Sequence, residues 1–153
     1  AEAHAFIEFL LDPKVAALKG AFDAGVRSCL LHDALGALWR FVGAANRYVD
    51  AQQPWTLAKA AKAGDAEAAS RLREVLGELL EACRVIALTV MPFMPDGGAR
   101  MLTQLGHASP YAPDGNGGPD VAGLQAWGAG EPTGTVAEPV PLFPRLEVED
   151  VEA

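Results

Sequence analysis

The sequence predicts an all-α fold, a bundle of about five helices followed by an extended, proline-rich C-terminal arm. Apolar residues return every three or four positions through two long stretches, 33–52 and 65–91, the period that buries one face of a helix. Prolines and glycines separate these stretches, and no succession of alternating strands and helices is legible. After His107 come seven of the eleven prolines, and no helical period survives there.

Residues 2–11 are apolar and read as helix up to Asp12-Pro13, because a residue before proline avoids the helical region. Pro13 then suits the first turn of a second helix reaching about Gly25. The third, over 33–52, places Leu35, Leu38, Trp39, Val42, Ala45 and Val49 inward. Gly36 and Gly43 sit inside it, each costing about 1 kcal/mol against alanine. Seven residues apart, they share a face, and close approach of a neighbouring helix is the expected reason.

Gln53-Pro54 breaks that helix, and Pro54 restarts one that runs from Trp55 to Ala63 and stops at Gly64. Asp65 is the expected cap of a long helix to about Met91. Leu72, Val75, Leu76, Leu79, Cys83, Ile86, Ala87 and Val90 are its expected inner positions, with Glu74, Glu78, Glu81 and Arg84 on a solvated face. Leu38, Trp39, Val42, Leu76, Leu79, Cys83 and Ile86 are the predicted buried set. Pro92 ends the helix, and Pro95-Asp96 opens a last one with Ala99, Leu102 and Leu105 inward, closing at Gly106. The natural division is a helical domain over 1–106 and a loop plus extended arm over 107–153. The arm segment 136–148 is apolar enough to lie on a surface, but its prolines forbid a regular helix.

The 153 residues suffice for one domain with a real core. No apolar run approaches the roughly 18 residues that span a bilayer, and no signal-peptide pattern opens the chain. Cys29 and Cys83 are two and far apart, expected as small buried side chains in a reducing compartment, so the cytoplasm is the expected location. The chain opens on Ala1 in a helical run, so a natural start upstream is expected. The net charge of −8 argues at first against nucleic acid, which is bound by Lys and Arg. Its distribution changes that. Residues 114–153 carry one base and eight acids, a net of −7. Residues 32–62 carry Arg40, Arg47, Lys59 and Lys62 against Asp33 and Asp50, a net of +2. The helical body therefore permits RNA binding without demanding it.

Catalytic patterns are absent. His4, His32 and His107 are scattered, and no Cys or His pair has metal-ligand spacing. Gly115-Asn-Gly-Gly has glycines but no strand and helix around it, so it reads as a loop rather than a phosphate cradle. No Ser or Cys has an evident base beside it, and the chain alone is expected to catalyse nothing.

Asn46-Arg47-Tyr48-Val49-Asp50, followed three residues on by Pro54-Trp55, resembles the anticodon-domain motif of methionyl-tRNA synthetases. Further features follow in that family's order: Pro92-Phe93-Met94-Pro95 after the long helix, Gln104-Leu105-Gly106, Trp127-Gly128, and Leu142-Phe143-Pro144-Arg145-Leu146 near the end. The resemblance covers about residues 30–147. Residues 1–29 match only loosely, and the 107–120 loop looks like an expanded insertion. The family's two nucleotide-binding signatures, its zinc knuckle and the Asn/Arg pair of its first helix are not found, and belong upstream of Ala1.

The resemblance implies the helical anticodon-binding fold of a class I synthetase and recognition of methionine tRNA. The parent enzyme would join methionine to that tRNA using ATP and magnesium, held with any zinc in the catalytic half; no cofactor is expected in these residues. The expected partners are the anticodon stem-loop and the enzyme's own catalytic domain, with no membrane and no DNA.

Trp55 admits two readings. A tryptophan after proline is often a core anchor; alternatively it sits at an exposed helix start and stacks on an anticodon base, worth about 1–3 kcal/mol. Lys59 and Lys62, four and seven residues on, share its helical face as possible phosphate contacts. Pro54 would fix the turn. Asp50, with Asn46 and Arg47 one turn before it, would accept from a base edge or orient Arg47; an ordinary helical ion pair, about 0.2–0.5 kcal/mol, explains it nearly as well. Asn46 and Arg47 carry over as supporting residues. Tyr48 reads as core, and Met91, Met94 and Met101 as core or helix-end packing. Two other readings remain: the same fold in a synthetase for valine, leucine, isoleucine or cysteine, which lacks this motif, and a helical interaction module that binds no RNA.

Overall fold

The structure, a computed structural model, describes residues 11–107, 125–129 and 135–144. Within them are five helices and no strand: α1 (Asp12–Arg27), α2 (Leu31–Gln52), α3 (Pro54–Lys62), α4 (Ala66–Val90) and α5 (Pro95–Gln104). Pro13, Pro54 and Pro95 each occupy the first turn of a helix, where the missing N–H leaves no bond unmade. Asp65 caps α4 as expected, its carboxylate accepting from Ala68 N–H at 3.0 Å. The expected helix over 2–10, the 108–120 part of the loop and the end of the arm lie outside the described residues.

The long helix α4 is the organising element. It packs against α2, α3 and α5, while α1 packs on α2. The main core joins Leu11, Val15 and Phe22 of the α1 region, Leu38, Phe41 and Tyr48 of α2, and Val75 and Val85 of α4. Phe22 meets Phe93 edge-to-face, with ring centroids 6.0 Å apart. Two glycines permit the closest approaches. A Cβ on Gly25 would stand 2.8 Å from the backbone nitrogen of Ala34, where α1 and α2 touch. One on Gly98 would strike Met91 and lie 2.7 Å from the Ala87 carbonyl, where α5 crosses α4.

Gly36 and Gly43 do not make such contacts, contrary to the expectation from their spacing. The nearest atom to each absent Cβ is a guanidinium of their own helix, Arg40 at 3.6 Å and Arg47 at 3.5 Å, ordinary contact distances. Gly36→Ala and Gly43→Ala are therefore expected to stabilise the domain by about 0.5–1 kcal/mol each in urea unfolding. Helix–helix packing at these positions would instead make both substitutions destabilising.

Several burial expectations are corrected. Leu38 and Tyr48 are buried, but Trp39 is 67% exposed and Leu76 44% exposed. Val42, Leu79, Cys83 and Ile86 are half-buried. The reason is phase. The buried stripe of α2 runs through Ala34, Ala37, Phe41, Ala44 and Tyr48, and Trp39 lies on the far side of the helix from it. On α4 the inner line is Ala68, Val75, Ala82 and Val85, so Leu76 falls one position outside it. The C-terminal turns of α4 are buried nearly all round, Arg84 included. Cys29, expected inside, is exposed in the α1–α2 turn, at φ 58°.

Residues 135–144 form an irregular, largely exposed segment, as the prolines require. It runs along α5. Ala137 N–H donates to the Gln104 carbonyl at 2.8 Å, Gln104 donates to the Val140 carbonyl at 2.8 Å, and Arg100 to that of Pro141 at 3.0 Å. No helix among the described residues is long and apolar enough to cross a membrane.

Candidate nucleic-acid interface

The motif residues gather at the turn between α2 and α3, and one backbone position makes that turn. Gln53 adopts a left-handed conformation, φ 46° and ψ 59°, and serves as the last cap of α2 and the first of α3. Its N–H closes α2 on the Val49 carbonyl at 2.9 Å, while its own carbonyl accepts from Thr56 N–H at 2.8 Å. Pro54 follows with φ fixed by its ring. The chain therefore reverses within one residue, and Trp55 becomes the second residue of α3 with its indole outward, 57% exposed. That exposure removes the core-anchor reading of Trp55.

Asn46, Arg47 and Asp50 are all exposed in the last two turns of α2. Asp50 precedes the turn by three residues and so shares the end of the bundle with Trp55. The expected ion pair between Arg47 and Asp50 is not among the described salt bridges. Arg47 reaches back over Gly43 instead, which leaves the Asp50 carboxylate open to solvent. Lys59 and Lys62 are exposed in the last turn of α3, where the helix dipole favours positive charge. The other side of α3 is half-buried, with Leu57 packed against the main core.

The turn is braced from α4. Arg71 donates to the Gln52 side-chain carbonyl at 2.8 Å, tying the final residue of α2 to α4, and to Glu74 at 2.9 Å. Beneath the motif, the buried Tyr48 hydroxyl faces Glu78 without forming a hydrogen bond, and Glu78 Oε2 is likewise buried and unpaired. Burial pushes the Tyr48 phenol well above its ordinary range, and the Glu78 carboxylate raises it further. It stays neutral at any physiological pH.

Farther along α4, Arg84 is 2% exposed, against the expectation of a solvated face. Its guanidinium grips Glu81 with two bonds, Nε to Oε2 at 2.7 Å and Nη2 to Oε1 at 2.6 Å, and also donates to the Ala126 carbonyl at 2.8 Å. Gly128 N–H donates to the same Glu81 carboxylate. Burial alone would raise the Glu81 pKa, but the bonds from Arg84 and Gly128 outweigh it and hold the carboxyl below its ordinary range. Gln125, also buried, donates to Thr89 at 3.2 Å. The Trp127-Gly128 segment is thus latched to α4 through polar groups, with Trp127 against the core. The Glu81–Arg84 spacing was visible in the sequence, but the segment that covers it comes some forty residues later.

Among the described residues no group of three His, Cys, Asp or Glu is placed to hold a metal ion. The site offers an exposed indole, an open carboxylate, an amide and several cations around a rigid turn, the groups that hold an unpaired base and its phosphates.

The family described as the anticodon binding domain of methionyl tRNA ligase matches residues 2–152 of this chain. The methionine–tRNA ligase of Lactiplantibacillus plantarum is 35% identical over 130 residues, 84% of this chain and 17% of that protein. That of Mycobacterium tuberculosis H37Rv is 32% identical over 148 residues, 96% of this chain and 25% of the ligase. The ligase of Clostridium acetobutylicum is 36% identical over 83 residues, 54% of this chain and 12% of its own length. The chain thus spans a quarter or less of these relatives.

Proposed function

Because this chain belongs to the family of anticodon-binding domains of methionyl-tRNA ligases, we propose that it reads the anticodon of methionine tRNA at the α2–α3 turn. The observation that carries the assignment to this turn is the exposed indole of Trp55, held at a helix start by the left-handed Gln53. In this reading Trp55 stacks on an anticodon base. Asp50 accepts from a base edge, with Asn46 beside it. Arg47, Lys59 and Lys62 meet phosphates, and Pro54 fixes the angle at which the ring is presented. The contribution to catalysis is positioning: holding the anticodon places the acceptor end of the tRNA at a distant site.

The reaction served is the ATP-dependent joining of methionine to tRNA, the activity in the names of the relatives. ATP, magnesium and any zinc would be held by the remainder of such a ligase, to which this domain would be attached. A titration of the chain against a methionine anticodon stem-loop, and against the same stem-loop with the anticodon changed, tests the assignment. The cognate loop is expected to bind at least tenfold more tightly, since each lost base contact costs about 1–3 kcal/mol. Equal binding of both would leave an RNA-binding surface that reads no anticodon, and no binding at all would favour an interaction module.

A further inference from the structure

Outside the turn, the most strongly cationic feature of the described surface is a cleft of about 330 Å³ between α1 and α2. Its floor is apolar, made by Leu18, Ala37, Phe41 and Ala44. Its rim carries Lys14 from α1 and Arg40 and Arg47 from α2, and no carboxylate lines it. A chain of net charge −8 has placed three cations and no acid around one opening.

Arg40 and Arg47 are seven residues apart, hence on one face and about 10 Å apart along the axis. Neither has an ion-pair partner among the described residues. Each guanidinium lies back over a glycine one turn earlier, Gly36 or Gly43, which no other element approaches. The two Gly–Arg pairs therefore make an open, low-relief strip with regularly spaced positive charge. A polymer backbone can lie against such a strip without meeting Cβ atoms. The strip ends at Arg47, in the turn motif, so it is continuous with the proposed base-reading site.

We propose that this cleft is a track for the sugar–phosphate backbone of the RNA stem that carries the anticodon loop. Lys14 and Arg40 contact stem phosphates, and Arg47 links the track to the loop. The proposal rests on the reading of the α2–α3 turn given above. Contacts of this kind carry no sequence information; they fix where the stem lies and so which bases reach Trp55. The apolar floor strengthens each charge–phosphate contact by excluding water on one side.

The test uses the 153-residue chain and two probes, a methionine anticodon stem-loop and a stemless oligonucleotide of the loop alone, titrated over a series of salt concentrations. Arg40→Gln and Lys14→Gln are each expected to weaken stem-loop binding roughly five- to tenfold at 0.1 M salt. Each should also lower the slope of log affinity against log salt by about one. Arg40→Lys should restore the slope, and binding of the stemless loop should be unchanged. Unaltered slopes in both Gln variants, with wild-type binding intact, overturn the track and leave the turn assignment standing. Tighter binding by the Gln variants, as release of an acidic stretch of the same chain would give, also overturns it. Absence of wild-type binding overturns both.

Discussion

Replacing Arg84 with methionine is expected to lower the stability of the domain by about 3–5 kcal/mol, the range for removing one partner of a buried ion pair. Methionine fills much of the space of the side chain but takes away the two bonds to Glu81 and the one to the Ala126 carbonyl. Glu81, whose side chain is only 15% exposed, then keeps a carboxylate without its cation. Glu81→Gln combined with Arg84→Met should recover a large part of the loss, because no uncompensated charge remains. Unfolding by denaturant measures all three proteins.

The same pair has a pH signature. The Glu81 carboxyl is held below its ordinary range in the folded chain, so it binds its proton less readily there than in the unfolded chain, where it titrates near about 4.3. Its stabilisation is complete above about pH 5 and is lost as pH falls through the lower folded value. The wild type should lose stability over that acid window, and Arg84→Met should show a flatter profile there. Equal profiles, or a loss below 1 kcal/mol in the variant, would mean that the latch contributes little.

The fold was legible in the sequence because its signals are local. Proline at three helix starts, Asp65 as a cap and the three-four apolar period each act within one turn of chain, and the helix ends moved by only a residue or two. Which face is buried was less legible. Trp39 and Leu76 are as apolar as their buried neighbours, and periodicity alone does not say which edge of a broad apolar stripe meets another helix. Arg84 was placed outside for the opposite reason. A charged residue is expected in solvent unless a partner is known, and here the cover comes from residues 125–129, far along the chain. Gly36 and Gly43 signalled correctly that a face was special, but α1 and α4 pack elsewhere on α2.

The candidate site was legible only through its motif. Composition allowed RNA binding without pointing to it, since the acidic tail hides a weakly basic body in the total charge. Spacing put Trp55 at a helix start with Lys59 and Lys62 on its face. It did not say whether the indole pointed in or out, because that depends on the single left-handed residue, Gln53. Nor did spacing show that Arg47 would turn toward Gly43 and leave Asp50 open.

The central claim is that the indole of Trp55 is a stacking platform for an anticodon base, and one variant tests it. Trp55→Ala should weaken binding of the methionine anticodon stem-loop by about 1–3 kcal/mol, roughly five- to 150-fold. The ring is more than half exposed, so melting should hardly change, within the ±0.5 kcal/mol or so usual for surface substitutions. Trp55→Phe, which keeps a smaller aromatic face, should fall between alanine and the wild type. The measurement is the dissociation constant of the stem-loop, read beside the melting temperature of the same protein samples. Weaker binding with unchanged melting is the predicted result. Unchanged affinity in Trp55→Ala, or a loss of affinity that appears only together with a loss of several kcal/mol of stability, would contradict the account.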